Sequence, residues 1–144
     1  ESQSGVYTEL QCGSYVFMDA DYGRNLNVSG DYVSHFRNSL FIYSTVMSVP
    51  NRRGAICDAG LKSIAFDSGM PLVVDEMGVS YDRPSDEHGT LTVSEDNHPL
   101  RLGEKIKLIP GHCDPTVNLH DWYVGIRAER VEALWPIVAR GALW

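Results

Sequence analysis

The chain has 144 residues, of which 43% are hydrophobic, and a formal net charge of −7; this length suits one domain with a substantial core. The negative charge argues against nucleic-acid binding, which rests on clustered Lys and Arg, and no apolar run approaches the roughly 18 residues of a membrane-spanning helix. The 3 cysteines are an odd number, which does not favour a disulfide framework, so we expect a cytoplasmic protein.

The first pattern along the chain is an alternation of apolar and polar residues over positions 6–11, which predicts a strand. The apolar residues 15–18 predict that the strand resumes after an interruption at Gly13. A glycine between two strand segments marks either a bulge or a close approach of the backbone to another molecule, and the residues alone leave both interpretations open. Residues 19–31 are rich in Asp, Asn and Gly and predict a loop.

Short segments rich in β-branched and aromatic residues, separated by Gly, Asn, Asp and Pro, predict strands over residues 40–49, 55–57, 63–66, 71–74, 77–81, 91–93, 105–109, 122–126 and 131–139. The last two predict a closing hairpin that turns near residues 128–130. Residues 31–39 leave room for one short helical turn, and no segment predicts a helix of about ten residues or more. The pattern is typical of an all-β domain, either a barrel or a sandwich.

An imidazole, a thiol and a carboxylate occupy consecutive positions in the loop after residues 105–109, as His112, Cys113 and Asp114. Side chains alternate in an extended loop, so His112 and Asp114 are predicted to point one way and Cys113 the other. An imidazole and a carboxylate can share one Zn or Mn ion and leave most of its coordination sphere open, as a catalytic metal requires. On spacing alone, however, a His-x-Asp sequence is more often a surface pair or a histidine oriented by a carboxylate.

The whole string His-Cys-Asp-Pro-Thr-Val-Asn-Leu, residues 112–119, closely resembles the metal-site segment of the D-threonine aldolase and D-serine dehydratase-like family. These are pyridoxal-phosphate lyases built on the alanine-racemase type of fold. The resemblance implies a metal site formed by His112 and Asp114. The dehydratases of the family tend to carry Cys as the second ligand, so Asp114 favours the aldolase branch and keeps the site hard enough for Mn as well as Zn.

Residues 8–19 also resemble the family, at the last strand of its cofactor barrel. By this resemblance the backbone N–H groups around Gly13 and Ser14, with Tyr15 beside them, would bind the phosphate of pyridoxal 5'-phosphate. Gln11 would lie near the pyridine nitrogen of the cofactor. The resemblance thus favours the second interpretation of Gly13, a close approach to another molecule.

Two other residues invite a catalytic role. His88 follows two acidic residues on a predicted turn, in a Glu-His-Gly sequence similar to one in the family. The turn is either a polar hairpin tip or an active-site loop, and we expect His88 to face the site, without a role assigned to it. Lys62 is not expected to bind the cofactor, because the aldimine lysine of the family lies near the start of the full protein.

The resemblance covers nearly the whole chain but only the C-terminal part of the family. It implies that residues 1–20 complete the last strand of a cofactor barrel and the crossover from it, and that residues 21–144 form a C-terminal metal-binding β-domain. The partner domain would be a TIM barrel of about 250 residues, and the enzyme a homodimer. The implied reaction cleaves D-3-hydroxy amino acids to glycine and an aldehyde, and this stretch alone is expected to be inactive. The alternatives are a D-serine dehydratase-type ammonia-lyase domain and a non-catalytic β-domain that binds a metal or a partner.

Overall fold

The computed structural model describes residues 5–142. Within this range the elements are β1 Ile42–Asn51, β2 Gly54–Cys57, β3 Leu72–Val74, β4 Val79–Pro84, β5 Gly89–Val93, β6 Lys105–Ile109, α1 Cys113–Val117, β7 Trp122–Arg127 and β8 Arg130–Pro136, preceded by 3₁₀ turns at Ser14–Val16 and Tyr22–Arg24. No helix in the described part of the chain is long and apolar enough to cross a membrane. The first four residues of the predicted 1–20 segment and the last two of the chain lie outside the described residues.

Six strands form one antiparallel sheet in the order β3-β6-β1-β2-β5-β4. The edge strands β3 and β4 are consecutive in the chain and lie close together, so the sheet curls into a nearly closed barrel. β7 and β8 form a separate two-stranded sheet. The predicted all-β fold is therefore confirmed, with a barrel as the one of the two predicted alternatives that forms, and so is the predicted hairpin of the last two strands.

β1 is the longest strand and pairs with two neighbours along its length. Its first residues, 42–45, pair with β6, and its later residues pair with β2 through two irregularities of register. Bulges of this kind bend a strand and increase its twist. β1 can therefore pass from one part of the barrel wall to the next and help to close the sheet.

The core fills the inside of this barrel. β6 shows why these residues form strands: Ile106 and Leu108 are buried while Lys105 and Lys107 are exposed, which is the period-2 alternation of a strand with one face toward a core. The other buried core side chains come from neighbouring strands and their connections: Val46, Ala55, Cys57, Ala59, Ile64, Tyr81, Leu91, Val93 and Leu100.

Four predicted elements differ from the structure. Residues 63–66 do not form a strand: the backbone turns at residues 61–63, the N–H groups of Ser63 and Ile64 donate to the Gly60 carbonyl, and Ile64 is buried in the core. Residues 15–18 are not a strand either, because local hydrogen bonds such as Val16 N–H to the Gly13 carbonyl form a 3₁₀ turn. Residues 6–11 form no strand in this chain, and residues 31–39 contain no helical turn.

Asp58 joins β1 to the end of β2. One carboxylate oxygen accepts hydrogen bonds from the buried Ser44 hydroxyl and the Thr45 N–H, each 2.7 Å long. Burial pushes the pKa of Asp58 upward, but its hydrogen bonds, with those from Thr45 and Ser44 foremost, together outweigh burial and hold the pKa below its usual value.

We expect Asp58→Ala to lower the free energy of unfolding by about 1–3 kcal/mol at neutral pH, because the buried Ser44 hydroxyl loses its acceptor. The folded-state pKa is depressed, so the stabilisation is present above the unfolded pKa of about 3.9 and is lost as the pH falls through the folded-state value. Urea unfolding at several pH values measures the difference between variant and parent. Asp82→Ala, at an exposed position of β4, is the control, and an equal loss in both variants would contradict the expectation.

Candidate metal site

The loop that leaves β6 is held in place by its own backbone. The carbonyl groups of Pro110 and Gly111 accept the N–H groups of Ala20 and Asp21 at 3.0 and 3.1 Å. Gly111 also packs on the backbone of Gly69 so closely that a Cβ at position 111 would lie 2.3 Å from the Gly69 carbonyl oxygen. Only a glycine permits that approach, which brings residues 67–69 alongside His112.

His112 lies between two carboxylates. Its Nδ1 is 2.8 Å from Asp67 Oδ2, and its Nε2 is 3.9 Å from Asp114 Oδ2. A carboxylate can only accept a hydrogen bond, so Nδ1 carries the proton. In the neutral ring this leaves the lone pair on Nε2, which is the tautomer that a metal ion bound at Nε2 requires.

The predicted orientation of His112, Cys113 and Asp114 is confirmed, although the backbone differs from the extended loop that we expected. His112 has extended backbone angles (φ −142°, ψ 127°) and is the N-cap of α1, so Cys113 and Asp114 begin a helix. Cys113 is fully buried with its thiol 3.4 Å from the Met18 carbonyl, and burial raises the pKa of that thiol to about 12. Cys113 is therefore a packed thiol and not a thiolate ligand.

The carboxylates shift the titration of His112. The hydrogen bond to Asp67 is the main reason that the pKa of His112 is raised, and the nearby charges of Asp67, Asp114 and Asp19 add to it. The same hydrogen bond lowers the pKa of Asp67. A cation that binds at Nε2 must therefore compete with a proton that the surrounding negative charge also attracts.

A buried carboxylate, Asp19, connects the 3₁₀ turns to this loop. It is 1% exposed, and its two oxygens accept the N–H groups of Tyr22 at 2.8 Å and Cys113 at 2.9 Å. The second bond satisfies one of the free N–H groups at the start of α1, in the way that an N-cap side chain would. Asp19 therefore fixes the helix turn on which Asp114 stands.

His112 and Asp114 are the side chains of this loop that could hold a metal ion. Their side chains are 27% and 73% exposed, and no group of three or more His, Cys, Asp and Glu residues among positions 5–142 is arranged to hold an ion. The donor set, a tautomerically fixed imidazole and a free carboxylate, suits Mn or Zn. The remaining coordination positions of such an ion would be filled by water, by substrate or by groups outside the described residues.

The residues predicted to bind the cofactor lie on the segment that Asp19 ties to this loop. Gly13, Ser14 and Tyr15 stand at the 3₁₀ turn Ser14–Val16, and Gln11 is exposed just before it. A Cβ at Gly13 would meet nothing within 4 Å, so no close approach within the described chain explains this glycine. Their role as cofactor ligands stays a prediction.

His88 is exposed on the turn between β4 and β5, where its carbonyl accepts the Ser85 N–H at 2.7 Å. Gly60 packs against this turn. Asp67, which is seven residues after Gly60, contacts His112. The structure records no hydrogen bond or ion pair between His88 and the His112 loop among the residues it describes, so the catalytic role of His88 stays a prediction. Lys62 forms an exposed ion pair with Glu87 at 2.6 Å.

Sequence reasoning missed Asp67 and Asp19 as contributors to this site. Asp67 belongs to no recognisable motif, and Asp19 begins a segment that its composition identifies only as a loop. The one available signal was the pair of glycines, Gly69 and Gly111, which allow the two loops to meet. No spacing rule could have paired them, because their approach depends on the completed barrel.

Comparison with known proteins identifies relatives over the whole described fold. A 3-hydroxy-D-aspartate aldolase from Paracoccus denitrificans is 50% identical over 143 residues, which are 98% of this chain and 36% of that protein. A D-threonine aldolase from Arthrobacter sp. is 48% identical over 141 residues, with the same coverage. The chain thus spans a little over a third of the length of these curated relatives.

Solved structures show the same likeness. The crystal structure of D-threonine aldolase from Filomicrobium marinum has a TM-score of 0.88 and 47% identity, over 97% of this chain and 38% of that one. D-threo-3-hydroxyaspartate dehydratase from Delftia sp. HT23 shares the fold, with a TM-score of 0.64 and 22% identity, over 86% of this chain and 37% of that one.

The family model described as a putative serine dehydratase domain matches residues 39–126. The match is more than half of the chain, and it contains the six barrel strands, α1 and the residues Asp67, His112 and Asp114. The resemblance noted at residues 112–119 is confirmed: the chain belongs to the family of the putative serine dehydratase domain.

Proposed function

We propose that the chain is the C-terminal β-domain of a D-threonine aldolase-type enzyme that depends on pyridoxal 5'-phosphate and a divalent metal. The observation that carries the proposal is the geometry of His112, whose Nδ1 is occupied by Asp67 while Nε2 faces Asp114. Two relatives of about 50% identity are named aldolases, which supports the aldolase branch over the dehydratase branch.

In this proposal His112 and Asp114 hold Mn or Zn. A bound ion would polarise the β-hydroxyl of a D-3-hydroxy amino acid and make its proton easier to remove. The exposed carboxylate of Asp114 is free to turn toward the ion, whereas the ring of His112 is held by Asp67. A carboxylate in place of a thiolate keeps the site hard, so Mn suits it as well as Zn.

The backbone N–H groups near Gly13 and Ser14 would hold the cofactor phosphate, with Tyr15 beside them and Gln11 near the pyridine nitrogen. Pyridoxal phosphate, when bound, supplies an acceptor for the electrons of the broken Cα–Cβ bond. His88 remains the candidate catalytic histidine. The products are glycine and an aldehyde, so the Cα–Cβ bond must break, a base must take up the β-hydroxyl proton as the aldehyde forms, and a proton must be returned to Cα to give glycine.

The exposed surface of the β7–β8 hairpin supports the proposal that a further domain accompanies this chain. Six of its large apolar side chains are 52–62% exposed: Trp122, Val124, Ile126, Val131, Leu134 and Trp135. A two-stranded hairpin has little stability of its own, and an apolar surface of this kind marks an interaction site. We propose that the TIM barrel of the same enzyme covers this hairpin and that residues 1–20 would contribute a strand to that barrel. Residues 21–144 would then form the β-domain, and the enzyme would be a homodimer.

The test is an assay of the complete native polypeptide, loaded with pyridoxal 5'-phosphate, on D-threonine and D-serine with and without a chelator. We expect glycine and an aldehyde from D-threonine, loss of this activity on chelation and recovery with Mn or Zn. Ammonia release from D-serine without aldol cleavage would assign the chain to the dehydratase alternative. If the native polypeptide has a mass of only 16.0 kDa and binds no cofactor, the chain is the non-catalytic β-domain of the third alternative.

A further inference from the structure

The ring of His112 is fixed from one side only. Asp67 Oδ2 accepts a hydrogen bond from Nδ1–H at 2.8 Å, and Thr116 fixes the backbone of His112 by donating its hydroxyl to the His112 carbonyl at 2.7 Å. The hydroxyl of Thr116 also accepts the Ala65 N–H at 3.2 Å. The backbone and the ring of His112 are therefore held by residues of one segment, 65–67, and by the helix turn that follows His112.

Asp67 itself has a fixed position. The preceding residue, Phe66, packs against Tyr81 with ring centroids 5.7 Å apart. The carbonyl of the following residue, Ser68, accepts a hydrogen bond from the Arg24 guanidinium at 2.9 Å. The Ser68 hydroxyl donates to Asp67 Oδ2 at 3.0 Å. These contacts present the carboxylate to Nδ1 even though about half of the Asp67 side chain is exposed.

Asp67 is in the wrong place to be a metal ligand beside Nε2. The oxygen that contacts His112 bonds the opposite nitrogen of the ring, and the described residues contain no three-ligand group. A carboxylate on the far nitrogen of a metal-binding histidine has a different effect: it fixes the tautomer and makes the other nitrogen a better donor to the metal.

From this geometry we infer that Asp67 is a positioning residue, which holds the Nδ1–H tautomer of His112 and so directs Nε2 to a divalent ion shared with Asp114. The inference rests on the proposed metal site and adds a third residue to it. The hydrogen bond joins two groups of this chain, so its effect on the tautomer can be measured in protein stripped of metal.

The first measurement is the affinity of the complete polypeptide for Mn, determined by competition with a chelator, in the parent and in Asp67→Ala. We expect Asp67→Ala to weaken Mn binding by about 10- to 100-fold, the usual effect of losing such a partner. Asp67→Asn keeps the shape and a neutral acceptor, which is a weaker one than a carboxylate, so its affinity should fall between the two. Should Asp67→Ala fail to fold, the loss in Asp67→Asn decides the matter.

The matched control is Asp75→Ala. Asp75 is also an exposed carboxylate in an ion pair, with Lys107 at 2.5 Å, and is 63% exposed. It should leave the affinity for Mn unchanged. If Asp67→Ala and Asp75→Ala lose the same affinity, Asp67 acts only through its negative charge and the inference is wrong. Parent-like affinity in both Asp67 variants would also overturn it.

A second measurement separates this inference from the proposed function. In the metal-free protein the ¹⁵N chemical shifts of the His112 ring, assigned with His112→Ala, report which nitrogen carries the proton. We expect Nδ1–H in the parent and a mixture of tautomers in Asp67→Ala. If the tautomer changes in this way but the parent binds no Mn, the metal site is refuted and the role of Asp67 in fixing the ring is retained. If the tautomer is the same in Asp67→Ala as in the parent, the inference itself is refuted.

Discussion

Asp114→Asn is expected to abolish aldol cleavage in the complete enzyme and to leave the visible absorbance of the bound cofactor intact. The amide keeps the size of the side chain but loses the negative charge that a divalent ion needs. Losing a partner of a ligand typically costs 10- to 100-fold. Losing one of the two proposed ligands should therefore lower the rate of glycine formation by more than about 100-fold. The substitution should also lower the bound metal measured after dialysis.

The matched control is Asp121→Asn, seven residues further along the chain. Asp121 is 70% exposed and pairs with Arg140 at 2.8 Å, so this substitution makes the same chemical change at a comparable surface position. It should retain both metal and activity. Unaltered cleavage by Asp114→Asn would remove Asp114 from the site, and loss of absorbance together with activity would point to a disturbed fold.

The contrast between β6 and residues 63–66 shows which parts of the fold the sequence could predict. In β6 each side chain reports its own face, because Lys105, Ile106, Lys107 and Leu108 alternate between solvent and core, and the prediction needs no knowledge of the partner strands. Residues 63–66 have the same composition as a strand, but Ile64 fills the core from a turn. Composition cannot tell a buried turn residue from a buried strand residue, since both respond to the same apolar environment.

The helix at the candidate site was missed for a related reason. Pro115 indicates a turn in sequence, but it is the third residue of α1. The first N–H groups of a helix have no partner within the helix, so a proline is tolerated there. His112 and Asp114 nevertheless approach to 3.9 Å, because His112 is the N-cap and keeps an extended backbone (φ −142°, ψ 127°), and the helix begins only after it.

The partners of these residues could not be predicted. Asp67 is 45 residues from His112 in sequence, and Asp19 is 94 residues from Cys113. Contacts of that separation leave no periodic or spacing signal, and they form only when the barrel places the two loops together. The candidate ligands His112 and Asp114 are close in sequence and could be proposed from their motif, whereas the groups that contact them are distant in sequence.

The second large effect is expected at Gly60, where an added methyl group has no space. A Cβ there would lie 2.3 Å from the Ser85 carbonyl oxygen, 2.6 Å from His88 N and 2.8 Å from the Glu87 carbonyl carbon. All three atoms belong to the backbone, so no side chain can rotate away. Overpacking of a filled site costs about 1–3 kcal/mol and occasionally more, and we expect Gly60→Ala to reach about 3 kcal/mol in the free energy of unfolding.

Two measurements on the complete polypeptide test the Gly60→Ala substitution. Urea unfolding gives the change in stability. In the parent protein the Leu61 and Lys62 N–H groups donate to the carbonyls of Ser85 and Asp86 at 2.9 Å. Hydrogen exchange at these two groups should be faster in the variant, because the turn that carries His88 must move away. The control is Gly23→Ala, where a Cβ would meet nothing within 4 Å and the change should stay within about 0.5 kcal/mol. If both variants are equally stable, the contact between Gly60 and the His88 turn does not exist in the folded protein. If Gly60→Ala unfolds as expected, the turn that carries His88 is rigidly seated on the segment that leads to Asp67.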